Sequence, residues 1–285
     1  MSYERSCAGI SAGQISRRMG CSTSALGITE RFGAREISMI REAGITRLEI
    51  CGYNPPSHFD FHNPAQVSEI KAECRKQDVS IVSVHGPGIG FIYDTPYEEL
   101  RKAIVKELTF CARVAEEMGA SVFVTHIGMA GPDTCSERTM IDLLEKLCDS
   151  AIRITVENGV ELGVFADFVN RIGSDNLGMV VDIGHTRDSE GVNPFTKKNR
   201  AYELMVGCGQ RLFHVHLHDF TDTGDHHPPF DGHIRWEEIF RALPDMGYEG
   251  EFMFEAAPKI SVEDTLRKIA AFPQRFVNGY GMKNL

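Results

Sequence analysis

The stretch LFHVHLHDF, residues 212–220, sets histidines at 214, 216 and 218. In an extended strand, residues two apart share a face. His214, His216 and His218 therefore line one face, with Phe213, Val215 and Leu217 on the other. At about 3.3 Å per residue the outer two stand roughly 13 Å apart, too far to share one ion. A site built here must draw its other groups from elsewhere. The candidates are His85, His126, Glu157, Asp182, His185 and Glu255. Glu157, Asp182 and Glu255 with His216 make an oxygen-rich donor set for one divalent metal ion. Such a set favours Mn2+, with Co2+, Mg2+ or Zn2+ as alternatives, over a closed structural zinc. His214, one pleat deeper, is expected to be a core or supporting residue, and His218, one pleat higher, to face solvent.

The elements that must position these groups alternate. β-rich runs occupy 17–22, 46–52, 79–88, 120–128, 152–159, 177–185, 211–219 and 250–256. Stretches of helical period fill 32–44, 63–78, 97–119, 136–151, 164–173, 194–207, 236–247 and 261–276. Their signals are local: Asn63-Pro64 opens one helix, and Gly44 and Gly119 close two others. Alternating βα units imply a parallel sheet. Eight of them predict an α/β chain folded as a single (β/α)8 TIM barrel. An open doubly wound sheet is the rival, but it calls for a glycine-rich fingerprint after the first strand, and GCSTSALG matches poorly. No linker or low-complexity run divides the chain. One TIM-barrel domain is expected over 1–285, with its core at about 15–258 and a C-terminal helix at 261–276.

In this architecture the C-terminal strand ends meet around one mouth, where active sites are built. His85, His126, Glu157, Asp182, His216 and Glu255 fall at or near the ends of six consecutive strands, with His185 three residues after Asp182. One such histidine is ordinary core. Six in phase imply a site, because crowded carboxylates repel unless a cation joins them.

The bulk figures exclude other classes. The net charge of −10 argues against a general nucleic-acid binder, whose partner demands a positive surface. No run of about 18 apolar residues suggests a membrane span. The opening MSYERSCAGISAGQ lacks the apolar core of a secretory signal, so a cytoplasmic protein is expected. The eight cysteines are scattered with no C-x-x-C pair, which reads as reduced thiols.

From about residue 15 to 258 the chain resembles the xylose-isomerase-like TIM-barrel superfamily of sugar isomerases and epimerases, which also contains endonuclease IV. The motifs that carry the resemblance are SVHGPG, VTHIG, ITVENG, NLGMVVDIGH, FHVHLHD, DHHPPFDGHIRW and EFMFEA, in that order. The resemblance implies that Glu157, Asp182, His216 and Glu255 hold one divalent metal. It also implies that His185 contacts substrate and that His226 is a further site histidine. Two departures bear on substrate preference. FDG at 230–232 stands where the family commonly has Gly-Glu-Gly. No arginine lies between Asp219 and Ile234, where some ketose epimerases use one to hold the sugar.

The expected reaction is isomerisation or epimerisation of a sugar or sugar phosphate through a metal-stabilised enediolate. Glu157 and Glu255 would be the acid/base pair. His85, His126, His185 and His226 would bind substrate, and Tyr53, His58 and Phe59 after the second strand could cover the pocket, although plain turn chemistry around Pro55-Pro56 accounts for that loop equally well. A dehydratase of the inosose or dehydroshikimate type is the alternative, since it differs only in ejecting water from the enolate. A zinc phosphodiesterase like endonuclease IV is a further one. Eight of its ligand positions are matched, but Gly224 stands at the ninth, with Asp225 one place out of register. Barrels of this kind often pair, so a homo-oligomer is compatible with the sequence, though no motif tests it.

Overall fold

The computed structural model describes residues 10–28, 30–52, 57–87, 93–127 and 131–280. Eight parallel strands close into a barrel: β1 (Met19–Ser22), β2 (Arg47–Cys51), β3 (Ser80–His85), β4 (Val122–Thr125), β5 (Arg153–Glu157), β6 (Leu177–Asp182), β7 (Leu212–Leu217) and β10 (Phe252–Phe254). β1 pairs with β2 on one side and β10 on the other, so the sheet has no edge. Helices follow the strands, including α3 (Pro64–Gln77), α4 (Glu98–Glu117), α6 (Leu162–Ile172) and α9 (Val262–Tyr280).

Strand alternation divides the core in two. Outward residues such as Leu48, Ile50, Ile154, Val156, Val181 and Val215 pack against the helices in one continuous apolar layer. Inside the barrel, Val122, Val124 and Val180 form a separate small cluster. The same inward face carries polar residues on other strands: Glu49, Ser83, His214 and His216, all buried. Two residues further along each strand the inward series reaches the mouth, at His85, His126, Glu157, Asp182 and His218.

Local chemistry sets the element ends. Asn63 caps α3 by accepting the Gln66 N–H at 3.1 Å, and Pro64 occupies the first turn where its missing N–H costs nothing. The α1 helix (Ala12–Arg18) is closed at its start by a reciprocal Ser11–Gln14 pair. It covers Arg17 and Arg18, which the sequence placed in the first strand; that strand begins only at Met19. The single helix expected over 194–207 is two pieces, a 3-10 turn at Pro194–Thr196 and α7 at Arg200–Gly207. Asn199, with φ of 66°, breaks them apart.

After β7 the chain forms a short antiparallel hairpin, β8 (Asp219–Thr221) with β9 (Gly224–His227). Asp219 anchors it, accepting the backbone N–H of Phe220 and Ile234 and the indole N–H of Trp236. No disulfide links the described cysteines to one another. No described helix is long and apolar enough to cross a membrane.

Candidate active site

Glu157 is the last residue of β5 and Asp182 the last of β6; His216 lies in β7, and Glu255 follows β10. Asp182 is in register with His216, and His216 with Met253, two residues before Glu255. This stagger brings one ligand atom from each of the four within 4.8 Å of the others. All four side chains are buried.

Three carboxylates and an imidazole packed together in low dielectric need positive charge. Burial opposes ionisation of Glu157, but His126 and His216 hold its carboxyl well below the usual carboxylate range. Burial likewise opposes the charge on Glu255, which His216 and His226 bring down to about 2. His216 moves the other way: against burial, Glu255, Glu49 and Glu157 raise it well above the ordinary histidine value. Yet His216 Nδ1 makes no hydrogen bond, although it lies 2.8 Å from Glu255 Oε2 and 3.4 Å from Glu157 Oε2. A buried ring nitrogen aimed at two carboxylates without hydrogen-bond geometry is an unsatisfied group that a divalent cation would satisfy. The residues present fit such an ion.

A ring of histidines surrounds this set. His85 Nε2 lies 3.2 Å from Glu157 Oε2, and His126 Nε2 lies 3.4 Å from the same oxygen. His185 Nδ1 reaches Glu157 Oε1 at 3.1 Å. His226 Nε2 stands 3.8 Å from Glu255 Oε2, while its Nδ1 meets Asp225 Oδ1 at 3.1 Å. Burial disfavours charge on His126, which falls to about 4. His185 resists burial because Asp182 and Glu157 face it, and rises to about 10. A cavity of about 390 Å3 opens over these groups, lined by His85, His126, Glu157, His185, His226 and Glu255, with Ile28, Cys51, Ala257 and Pro258 giving it an apolar side. A second cavity, of about 350 Å3, lies at the opposite barrel end beside Arg153 and Phe213, away from the ligand set.

Every residue singled out from the sequence as ligand or substrate contact therefore meets at one mouth. Three supporting expectations are corrected. His218 does not face solvent: it is fully buried, with Nε2 2.9 Å from both oxygens of Asp182. His58 and Phe59 do not cover the pocket. His58 is buried between the Glu30 carbonyl and the Thr23 hydroxyl, and Phe59 lies in the core. Tyr53 falls outside the described residues.

Two further residues join the site. Glu49, on β2, is fully buried and meets both His214 and His216. Its signal was present: a lone carboxylate inside the apolar run RLEIC. Asp225, discounted for its register, shares a possible ligand group with His185 and His226, because the hairpin brings it back to the mouth.

Residues 37–272 match the profile of the xylose isomerase-like TIM barrel family. The chain belongs to this family. An uncharacterised protein of Methanocaldococcus jannaschii is 27% identical over 214 residues, covering 68% of this chain and 70% of that protein. A fructoselysine 3-epimerase of Escherichia coli O157:H7 is 23% identical over 219 residues, covering 73% of this chain and 80% of the relative. The crystal structure of a D-tagatose 3-epimerase-like protein superposes with a TM-score of 0.73 at 23% identity, covering 92% of this chain and 98% of that one. In a xylose isomerase-like barrel the mouth at the C-terminal strand ends is the expected place for chemistry, and the buried cluster lies there.

Proposed function

We propose that this chain is a divalent-metal-dependent sugar isomerase or epimerase that moves a proton at a carbon next to a carbonyl. The observation that carries the reading is the placement of Glu157 and Glu255 on non-adjacent strands, both buried and both facing the cavity, with Asp182 and His216 between them. The names of the relatives, a fructoselysine 3-epimerase and a D-tagatose 3-epimerase-like protein, agree with it.

Glu157, Asp182, His216 and Glu255 would hold the ion, and their oxygen-rich chemistry favours manganese. A divalent cation held there would supply positive charge that stabilises the negative charge developing on the substrate oxygen. The remaining work falls to side chains of the protein. One glutamate removes the proton from carbon as the carbonyl π electrons move to oxygen. The other, which enters the step protonated, gives its proton to the same carbon from the opposite face as the oxygen's electron pair re-forms the carbonyl, which inverts that carbon. His85, His126, His185 and His226 hold the sugar hydroxyls, and burial of the site excludes bulk water.

The test is incubation of the manganese-loaded protein with free ketohexoses, their phosphates and inososes in 2H2O. Deuterium at the carbon beside the carbonyl, with appearance of an epimer or isomer, is the expected result. A dehydrated product would move the enzyme to the lyases, and no exchange on any carbonyl sugar would refute the reading.

One observation favours a second reading. His85, His126 and Glu157 form a further compact ligand group that shares Glu157 with the four-residue set, and His185, Asp225 and His226 form another. Three such groups suit a multinuclear zinc phosphodiesterase of the endonuclease IV kind. Metal content per chain separates the two: about one ion for the isomerase, two or three zinc ions for the phosphodiesterase.

A further inference from the structure

We infer that His218 is a positioning residue that locks the Asp182 carboxylate to the hairpin carrying His226. The inference rests on the metal-dependent reading of the cluster, since it concerns how one ligand is oriented.

The bond directions follow from the partners. The backbone N–H of His226, an obligate donor, lies 2.8 Å from His218 Nδ1. Nδ1 must therefore keep its lone pair. The Asp219 carbonyl, 3.3 Å from the same nitrogen, would need a proton there. That arrangement would strand the His226 N–H and turn a bare Nε2 towards a carboxylate. With its Nδ1 lone pair engaged, the ring turns Nε2 to Asp182 as a donor, 2.9 Å from each oxygen.

Three further features are built around this contact. Asp182 Oδ1 also accepts the N–H groups of Gly184 at 2.8 Å and His185 at 3.0 Å, so the carboxylate is gripped from two sides. Gly184 leaves the space the ring occupies: a Cβ there would lie 1.9 Å from His218 Cε1. His226 sits at φ 54°, a conformation uncommon for a residue other than glycine. It is pinned there by its N–H to His218 and by its carbonyl, which accepts the Ala257 N–H at 2.8 Å. The two rings stack, with centroids 4.2 Å apart and planes 13° apart. One imidazole thus sets both the aim of a metal ligand and the position of a substrate-facing histidine. Partners that hold a metal ligand in this way typically change metal affinity ten- to a hundredfold.

The experiment uses the full chain labelled with 15N-histidine, metal-free and zinc-loaded. Long-range 1H–15N spectra are compared with those of His218→Gln to assign the ring. The expected pattern is an unprotonated Nδ1 and a protonated Nε2 in both states. A proton on Nδ1 would overturn the inference, and so would loss of the Nε2 proton on zinc loading, which would make His218 a ligand. Calorimetric titration with Mn2+ then compares His218→Leu, which fills the space without a donor, with His218→Gln, which restores one. The leucine variant should bind about ten- to a hundredfold more weakly, and the glutamine variant within a few-fold of the parent. Equal affinity in parent and leucine variant refutes the positioning role. If the parent takes up no metal, the metal-dependent function fails while the spectrum still reads the His218 contact.

Discussion

His216 Nε2 lies 3.1 Å from Glu49 Oε1 and 3.3 Å from Oε2, where it makes a hydrogen bond, while the opposite ring nitrogen faces Glu255 at 2.8 Å. The imidazole bridges the barrel interior and the mouth. Glu49, which also meets His214 Nε2 at 3.0 Å, accepts the Nε2 proton, so Nδ1 is the nitrogen turned to Glu157 and Glu255 and the one that would bind an ion.

Glu49→Gln keeps the shape of this contact and removes its charge. The substitution should weaken Mn2+ binding by about ten- to a hundredfold. Isothermal titration of the purified variant checks it, and an unchanged dissociation constant would show that Glu49 does not act through His216.

Glu157→Gln and Glu255→Gln remove the two groups assigned to proton transfer. Each should lower turnover by a factor of about 10² to 10⁴ or more while the barrel stays folded, since general acid–base groups contribute on that scale. Deuterium exchange and far-UV circular dichroism on the same samples report both parts. Full activity in either variant would sink its assignment.

Chelation should destabilise the protein. At a free manganese concentration about 100 times the dissociation constant, binding adds about 2.7 kcal/mol to the native state. For a chain of 285 residues that corresponds to a melting shift of about 4–5 °C between manganese and EDTA. Identical melting curves would mean that the four-residue set holds no ion.

A pH effect is expected away from the cluster. Burial lowers the pKa of His58 below its ordinary value, although the Glu30 carbonyl accepts its Nδ1 proton. Protonation of the other ring nitrogen, Nε2, which faces the Thr23 hydroxyl, is therefore harder in the folded state than in the unfolded chain. The resulting stability is present above about pH 6.5 and is lost as pH falls below that value. The melting-temperature advantage of the parent over His58→Gln should therefore narrow between pH 7 and pH 5. A constant gap across that range contradicts the assignment.

The barrel and its mouth were legible because both are written locally. Period-two alternation marks the strands, helical period marks the segments between them, and the same alternation points Glu157, Asp182, His216 and Glu255 inwards at successive strand ends. The short first helix and the hairpin at 219–227 escaped because each is held by specific hydrogen bonds and not by an apolar period. The break at Asn199 is a backbone conformation that no hydrophobic pattern records.

Glu49 and His218 mark the boundary of what the sequence determined. Residue types and spacing established the parallel barrel, the mouth and the four-residue set that meets there. They could not assign Glu49 to His214, 165 positions away, because strands β2 and β7 face each other only once the sheet has closed. Nor could they pair His218 with Asp182, because that contact depends on the hairpin folding back to give the ring the His226 N–H. A strand period reports which face a residue takes, whereas closure of the barrel decides which other residue it meets there.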